Sequence, residues 1–256
     1  MGKDLVSIIT PTYNCAPFIS ETIKCVQSQS YSNWEMIIVD DCSTDNTKAV
    51  VESFNDFRIK YHCLSVNSGA AFARNTALKM ARGRWIAFLD SDDIWSPEKL
   101  EKQISFMLNN GFHFSYTKYE EMDENGISLG KIISGPKKIS KLGMFSYCWP
   151  GCLTVMYDSD IVGTIQIPSI KRNNDYAIWL NVINKASCHL LNENLAKYRK
   201  RSGSISNTGY LSLIKWHYKL FRKVESFNVL SASLLTMNNL FWGVIKKIFY
   251  VNKDIS

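Results

Sequence analysis

The chain has 256 residues, 46% of them apolar and 21% charged, with a formal net charge of +7. That composition excludes a disordered or low-complexity chain and suffices for one domain, or one domain with an appendage, around a substantial core. No apolar run reaches the roughly 18 residues of a membrane span, and the seven scattered cysteines form no CxxC pair and no cluster with histidine, so they read as reduced thiols.

The charge is uneven. Asn194 to Ser256 holds 11 Lys+Arg against two acids, Glu225 and Asp254, while the other 193 residues hold 19 bases and 21 acids. A basic end of this kind suits anionic lipid or a diphosphate substrate as well as nucleic acid. No nucleic-acid module is visible, so nucleic acid is not the expected partner. The start, Met1-Gly2-Lys3-Asp4, leads directly into a strand pattern without the features of a signal peptide. The cytoplasm is the expected location, because the cysteines read as reduced thiols rather than as a disulfide frame.

In chain order, Leu5 to Pro11 reads as a buried strand stopped by proline, and Pro17 to Ser30 as a helix with Ile19, Ile23 and Val26 on one face. Met36 to Asp41 is a second apolar run, ending in acids. Thr44 to Phe54 is a helix, Arg58 to Leu64 a strand, and Gly69 to Arg82 a helix with Gly83 placed as its stop. Trp85 to Leu89 is a strand, and Ser96-Pro97 opens a helix that ends near Gly111. Beyond it, Phe112 to Met122, Ile127 to Ile133 and Leu153 to Tyr157 are strand-like, and Ser134 to Leu142, with Gly135-Pro136-Lys137-Lys138, reads as a mobile loop. Asp175 falls in the first turn of a helix, Leu195 to Lys200 is strand-like, and Tyr210 to Val251 is helical.

Alternation of apolar strands with helices predicts an α/β fold, a mostly parallel sheet flanked by helices with a helical C-terminal extension. In such sheets ligands bind outside the carboxyl ends of the strands. Those ends carry the polar residues: Thr10 to Asn14, Asp40-Asp41, and Asp90-Ser91-Asp92-Asp93, three carboxylates within four positions. Crowded carboxylates repel unless a cation sits among them. Hard oxygen ligands of this kind suit Mg²⁺ or Mn²⁺, whose remaining ligands are commonly substrate phosphates. Each residue also has a plainer reading: Tyr13 in a turn, Asp41 as a helix cap, Arg74 in a surface ion pair, and Asp175 at a helix start.

Four ordered motifs carry a resemblance. Pro11-Thr12-Tyr13-Asn14, Val39-Asp40-Asp41-Cys42-Ser43-Thr44-Asp45, Asn67-Ser68-Gly69-Ala70-Ala71-Phe72-Ala73-Arg74-Asn75 and Leu89-Asp90-Ser91-Asp92-Asp93 resemble glycosyltransferase family 2, over about residues 3–205. Within that family the chain looks like the bacterial enzymes that build O-antigen, capsule or teichuronic-acid chains. The resemblance implies a GT-A fold over residues 1–205, with 1–110 as the nucleotide-binding half and 111–205 as the acceptor half, followed by a basic, aromatic-rich extension at 206–256. It implies inverting transfer of a hexose from a UDP-sugar, with Mn²⁺ or Mg²⁺, to a lipid-linked saccharide acceptor. Carried over by position, Pro11 and Tyr13 would contact the uridine, Asp41 would hydrogen-bond the uracil edge beside Asp40, and Arg74 would lie near the pyrophosphate. Asp92 would bind the metal directly, with Asp90 supporting it or contacting the ribose, and Asp175 would be the base. The motif there reads Asn174-Asp175 where relatives commonly have Glu-Asp, and Tyr198-Arg199-Lys200-Arg201 lacks the histidine that relatives place after Tyr-Arg.

The extension mixes basic and aromatic residues, as in Leu240 to Tyr250. It is expected either to dock peripherally on the anionic inner face of the cell membrane or to pack on the catalytic domain or a second subunit, so an oligomer is compatible. A non-catalytic sugar-nucleotide-binding or assembly subunit is the alternative function.

Overall fold

A computed structural model describes residues 4–168, 170–201 and 210–253. The expected boundary at 205/206 lies outside the described residues. β1 (Val6–Thr12), β2 (Trp34–Asp40), β3 (Ile59–Cys63) and β4 (Trp85–Phe88) are parallel and lie in the order β3-β2-β1-β4. They are joined by α1 (Ile19–Gln27), α2 (Thr47–Glu52) and α3 (Ala70–Met80). Every residue of β1 and β2 is buried, as a sheet covered on both faces requires. The period of two splits their side chains between two cores. Ile9, Ile37 and Val39 pack with Ala73, Ala77 and Leu78 of α3, whereas Val6, Ile8, Met36 and Ile38 pack with Ile19, Ile23 and Val26 of α1.

β1 continues through Pro11, one residue beyond its expected stop. The reason is positional. The carbonyl of Ile9 accepts from Leu89 N–H on the β4 side, so residue 11 faces that side too, where β4 has already ended at Phe88. A missing N–H there interrupts no ladder.

β5 (Ile94–Trp95) leads into α4 (Lys99–Asn110), which closes on Gly111 at φ +64° with Phe112 N–H donating to Met107 O at 2.9 Å. β6 (Phe114–Met122), β7 (Ser128–Ile133), β8 (Lys138–Ile139), α5 (Lys141–Ser146), β9 (Met156–Asp158), α6 (Ser159–Val162), α7 (Asn174–Val182) and β10 (Cys188–Arg199) follow. β9 is antiparallel to both β4 and β6 and joins the two halves of the sheet, while β10 runs parallel to β6. Two expectations fail locally. The Gly135 to Lys138 stretch is tied down, because Tyr116 O–H donates to Pro136 O at 2.6 Å and β8 pairs with β10. The predicted strand over Leu153 to Tyr157 is a 3₁₀ turn at Cys152–Thr154 followed by the short β9.

The chain ends with α8 (Tyr210–Lys219), a π-helical turn (Leu220–Val224), α9 (Val229–Phe249) and β11 (Val251–Lys253), which extends the sheet antiparallel to β7. Leu220, Phe221 and Ala232 share a core with Phe114, Tyr176 and Trp179. Asn239 Nδ2 donates to Tyr176 Oη at 3.1 Å, and Lys246 Nζ donates to Trp149 O at 2.9 Å. One face of α9 is thus sewn into the fold. The other face carries Leu230, Leu234, Met237, Phe241, Val244 and Ile248 at i, i+4, i+7, i+11, i+14 and i+18, all at least 57% exposed.

Gly83 does not stop α3, which ends at Met80. A Cβ at residue 83 would lie 2.5 Å from Leu5 O and 2.6 Å from Ser7 N, so the glycine is needed where the chain grazes the β1 backbone. Backbone atoms there cannot step aside as a side chain would. Gly83→Ala is therefore expected to destabilise by about 1–3 kcal/mol, seen as a melting temperature lower by about 2–4 °C per kcal/mol. An unchanged melt would show that β1 and the start of β4 are not held this tightly.

Candidate active site

β1, β2 and β4 deliver their carboxyl ends to one edge of the sheet, and the loops there are knotted together. Asn14, at φ +47°, donates its N–H to Ser43 Oγ at 2.8 Å and accepts from Thr44 N–H through Oδ1 at 2.8 Å. Asp45 accepts from Ala16 N–H at 3.0 Å, and Cys42 is also left-handed at φ +66°. A left-handed asparagine is tolerated, whereas the cysteine stores strain of the kind that collects at functional loops. Pro11 is buried beside Val39, and Tyr13 is left 46% exposed at the tip.

The acid pair after β2 is internally engaged. Asp40 accepts from Ser43 N–H at 2.8 Å and from Tyr61 O–H at 2.6 Å. Asp41 accepts from Ser68 N–H at 2.7 Å and Gly69 N–H at 2.8 Å, holding the turn at Gly69 (φ +89°) that launches α3. A carboxylate has about four lone-pair sites, so a nucleobase contact by Asp41 would use those left over.

Arg74, from α3, is buried between two acceptors. Its Nη2 donates to Asp90 Oδ1 at 2.5 Å and its Nη1 donates to Asn174 Oδ1, while its Nε is buried without a partner among the described residues. Burial opposes the charge of Arg74, but Asp90 and Asp175 outweigh that and hold it protonated. The neutral Asn174 therefore has a clear part. It accepts from Arg74 without adding a second negative charge beside Asp175. Asn173, at φ +57°, turns the chain into α7 so that Asp175 sits in its first turn.

The carboxylates after β4 are met by β10. Arg199, 2% exposed, donates Nε to Asp92 O at 2.9 Å, Nη1 to Glu124 O at 2.8 Å and Nη2 to Glu21 Oε2 at 2.5 Å. Its N–H donates to Asp93 Oδ1 at 2.9 Å. Arg201 Nε lies 2.9 Å from Asp92 Oδ2. Asp92 is nonetheless pushed above the ordinary carboxylate range by burial, with Arg201 pulling the other way and Asp90 adding to the rise. Asp93 is raised further, by complete burial and its two acidic neighbours. Asp175 is raised by burial, with Arg74 opposing.

One cleft of about 510 Å³ is lined by Asp90, Asp93, Asp175 and Arg201 and closed by Gly151 to Leu153, Tyr119, Glu121, Tyr198 and Lys200, whereas Arg74, Asp92 and Arg199 are not in its lining. Its size falls within the ~300–1,000 Å³ common for small-ligand sites. Tyr13 and Asp41 do not line it; they stand at the neighbouring strand ends on the same edge. Among the described residues no three His, Cys, Asp or Glu side chains converge on a metal position. The donor set still fits a hard divalent ion. Asp92 supplies carboxylate oxygen that is now paired with Arg201, and such ions take one or two carboxylates plus substrate phosphates, so an ion there would share Asp92 with the guanidinium or displace it.

The motif regions match the family model described as Glycosyl transferase family 2 over residues 7–149. The chain belongs to glycosyltransferase family 2. It is 42% identical over 234 residues to the putative teichuronic acid biosynthesis glycosyltransferase TuaG of Bacillus subtilis, covering 90% of this chain and 92% of that one. It is 41% identical over 251 residues to the Escherichia coli UDP-Glc:alpha-D-GlcNAc-diphosphoundecaprenol beta-1,3-glucosyltransferase WfgD, covering 97% of each. Residues 1–349 of S. aureus TarS, solved in complex with UDP-GlcNAc, share the fold at a TM-score of 0.70 and 22% identity, covering 93% of this chain and 71% of that one. The architecture is the GT-A fold of these glycosyltransferases.

Sequence reasoning did not single out Arg199, Arg201, Tyr119 or Glu121 as site residues. The only signal was the basic run after Tyr198, whose partners lie about 100 residues away in sequence. Asn174→Ala leaves a buried guanidinium N–H unpaired and is expected to cost about 1–3 kcal/mol. Urea unfolding measures this, and wild-type stability would discard the Arg74–Asn174 bridge as a stabilising contact.

Proposed function

We propose that the chain is a metal-dependent inverting glycosyltransferase. It moves a hexose from a UDP-sugar to a polyprenyl-diphosphate-linked saccharide in bacterial surface-polysaccharide synthesis. The observation that carries this reading is the single cleft in which Asp175 shares space with Asp90 and Asp93, beside the Asp92–Arg201 pair. The named activity of the WfgD relative, a glucosyl transfer from UDP-Glc to a diphosphoundecaprenol-linked sugar, supports the donor and acceptor classes.

In this reading Tyr13 stacks on the uracil, with Pro11 and Asp41 against the uridine, while Asp40 holds the turn that presents Asp41. Arg74 steadies Asp90 near the pyrophosphate. Mn²⁺ or Mg²⁺ would be held by Asp92 and would neutralise charge on the departing diphosphate. Asp175 takes the proton of the acceptor hydroxyl as that oxygen bonds to the anomeric carbon. The bond from that carbon to the diphosphate oxygen breaks with its electron pair leaving on UDP, so the configuration inverts. One carboxylate suffices for this displacement, and a positioned base contributes about 10²–10⁴-fold.

Asp175→Asn is therefore expected to cut kcat at least ~10²-fold with UDP affinity little changed. Steady-state kinetics and calorimetry measure both, and wild-type turnover would refute the assignment. The pH dependence has a definite sign. The folded-state pKa of Asp175 is raised, so the base form exists only above that value. The rate should fall as pH drops through it, at a pH above the ~3.9 of an ordinary aspartate. An acid limb at or below the ordinary value would contradict the buried base.

The exposed stripe on α9 supports a peripheral contact with the inner face of the cell membrane, where a lipid-linked acceptor resides. Exposed Lys215, Arg222, Lys223 and Lys247 supply basic groups on the same extension, which suits anionic headgroups. The wild-type chain should float with phosphatidylglycerol vesicles, and Leu234→Glu with Phe241→Glu should abolish this. A chain that stays unbound and elutes as a dimer would assign the stripe to a second copy instead.

A further inference from the structure

The cleft has two chemically different ends. At one stand Asp90 and Asp175. At the other, β6 and β10 run parallel with Tyr198 beside Glu121. Side chains two apart on a strand share a face, so Tyr119 and Glu121 of β6 point the same way as Tyr198 and Lys200 at the end of β10. All four line the cleft. Lys200 Nζ lies 2.7 Å from Glu121 Oε2, and the Tyr119 and Tyr198 rings meet edge-on with centroids 6.2 Å apart. Gly151 backs this end. A Cβ there would lie 3.0 Å from Tyr119 Cε1, so a larger residue would push the ring into the space.

We propose that Glu121 and Lys200, with Tyr119 and Tyr198, form the subsite for the terminal pyranose of the acceptor, which deepens the transferase reading and rests on it. A pyranose presents hydroxyls that both donate and accept on a ring with apolar faces. The carboxylate accepts from such hydroxyls, the ammonium donates to them, and the two tyrosine rings, set edge to face, give an apolar corner for a ring face. Stability alone does not explain the pair. An exposed ion pair adds little, and the next residues on each strand already supply one, Lys197 to Glu120 at 3.9 Å. The two pairs are almost equally exposed, so burial does not separate them; Glu121 and Lys200 differ in lining the cleft, which Glu120 and Lys197 do not, and in meeting at 2.7 Å. The arrangement puts a bound sugar in the same space as Asp175, within which its hydroxyl must meet the base.

The test uses the full chain with a set of UDP-hexoses, UDP-glucose first, and a panel of hexosyl- and N-acetylhexosaminyl-diphospho-alkyl acceptors. Glu121→Gln and Lys200→Met are near-isosteric, and the Lys200 side chain is 47% exposed, so that variant tolerates the change. Each is expected to raise the acceptor KM about tenfold or more while the Kd for UDP moves less than about twofold, since a lost hydrogen bond to a charged group is worth that much. Turnover by wild type with unchanged acceptor KM in both variants overturns the subsite alone. A wild-type chain that binds UDP yet glycosylates no member of the panel overturns the parent reading and the subsite with it.

Discussion

Asp90, Asp92, Asp93 and Asp175 are crowded at and beside one cleft, and carboxylates so close repel unless cations stand among them; meeting that requirement organises the molecule. Asp90, Asp92 and Asp93 leave the end of β4 together, and Asp175 arrives from α7. Arg74 reaches Asp90 from α3, while Arg199 and Arg201 reach the Asp92-Asp93 turn from the end of β10. Arginine suits these places because its fork reaches several acceptors at once and keeps its charge when buried. The cross-links draw α3, β4, α7 and β10 to one point. An electrostatic demand made by three aspartates thereby fixes where the second half of the chain docks on the first.

The balance is incomplete in a way that suits the chemistry. Burial still leaves Asp92 and Asp175 above the usual carboxylate range. Such groups favour an incoming positive charge, which in the proposed reaction would be a metal ion at Asp92 and a proton at Asp175. Arg201 is paired with Asp92, so an ion bound there would share that carboxylate with a guanidinium or displace it. Arg74 is spent differently. Locked between Asp90 and Asn174, it joins the end of β4 to α7, the helix that carries the candidate base Asp175.

The C-terminal extension answers to two environments at once. Its inner face closes the core around Tyr176 and Trp149, and β11 covers the edge of β7. Its outer face leaves large apolar side chains uncovered. The helix is thus packed into the fold on one side and lined with exposed apolar side chains on the other, and no helix among the described residues is long and apolar enough to cross a membrane.

Much of the first half was legible because its signals are local. Continuous apolar runs identify strands buried on both faces, and their polar ends mark the ligand edge from Pro11 to Asp93. Gly111 stops its helix by a left-handed turn that any reader of the chain would place. Gly83 looked the same and was not, since its need arises from Leu5 and Ser7, remote in sequence. Asp40 and Asp41 illustrate the same divide. Their position at a strand end is written in the chain, but the backbone N–H groups and tyrosine that engage them come from other loops. The order of residues alone determined the parallel half-sheet, the acidic edge and the candidate base, because propensity and period act between near neighbours. Only the tertiary structure decided which cations meet which carboxylates, and that Tyr119 and Glu121 share a cleft with Asp175, because those contacts join residues that burial brings together from distant parts of the chain.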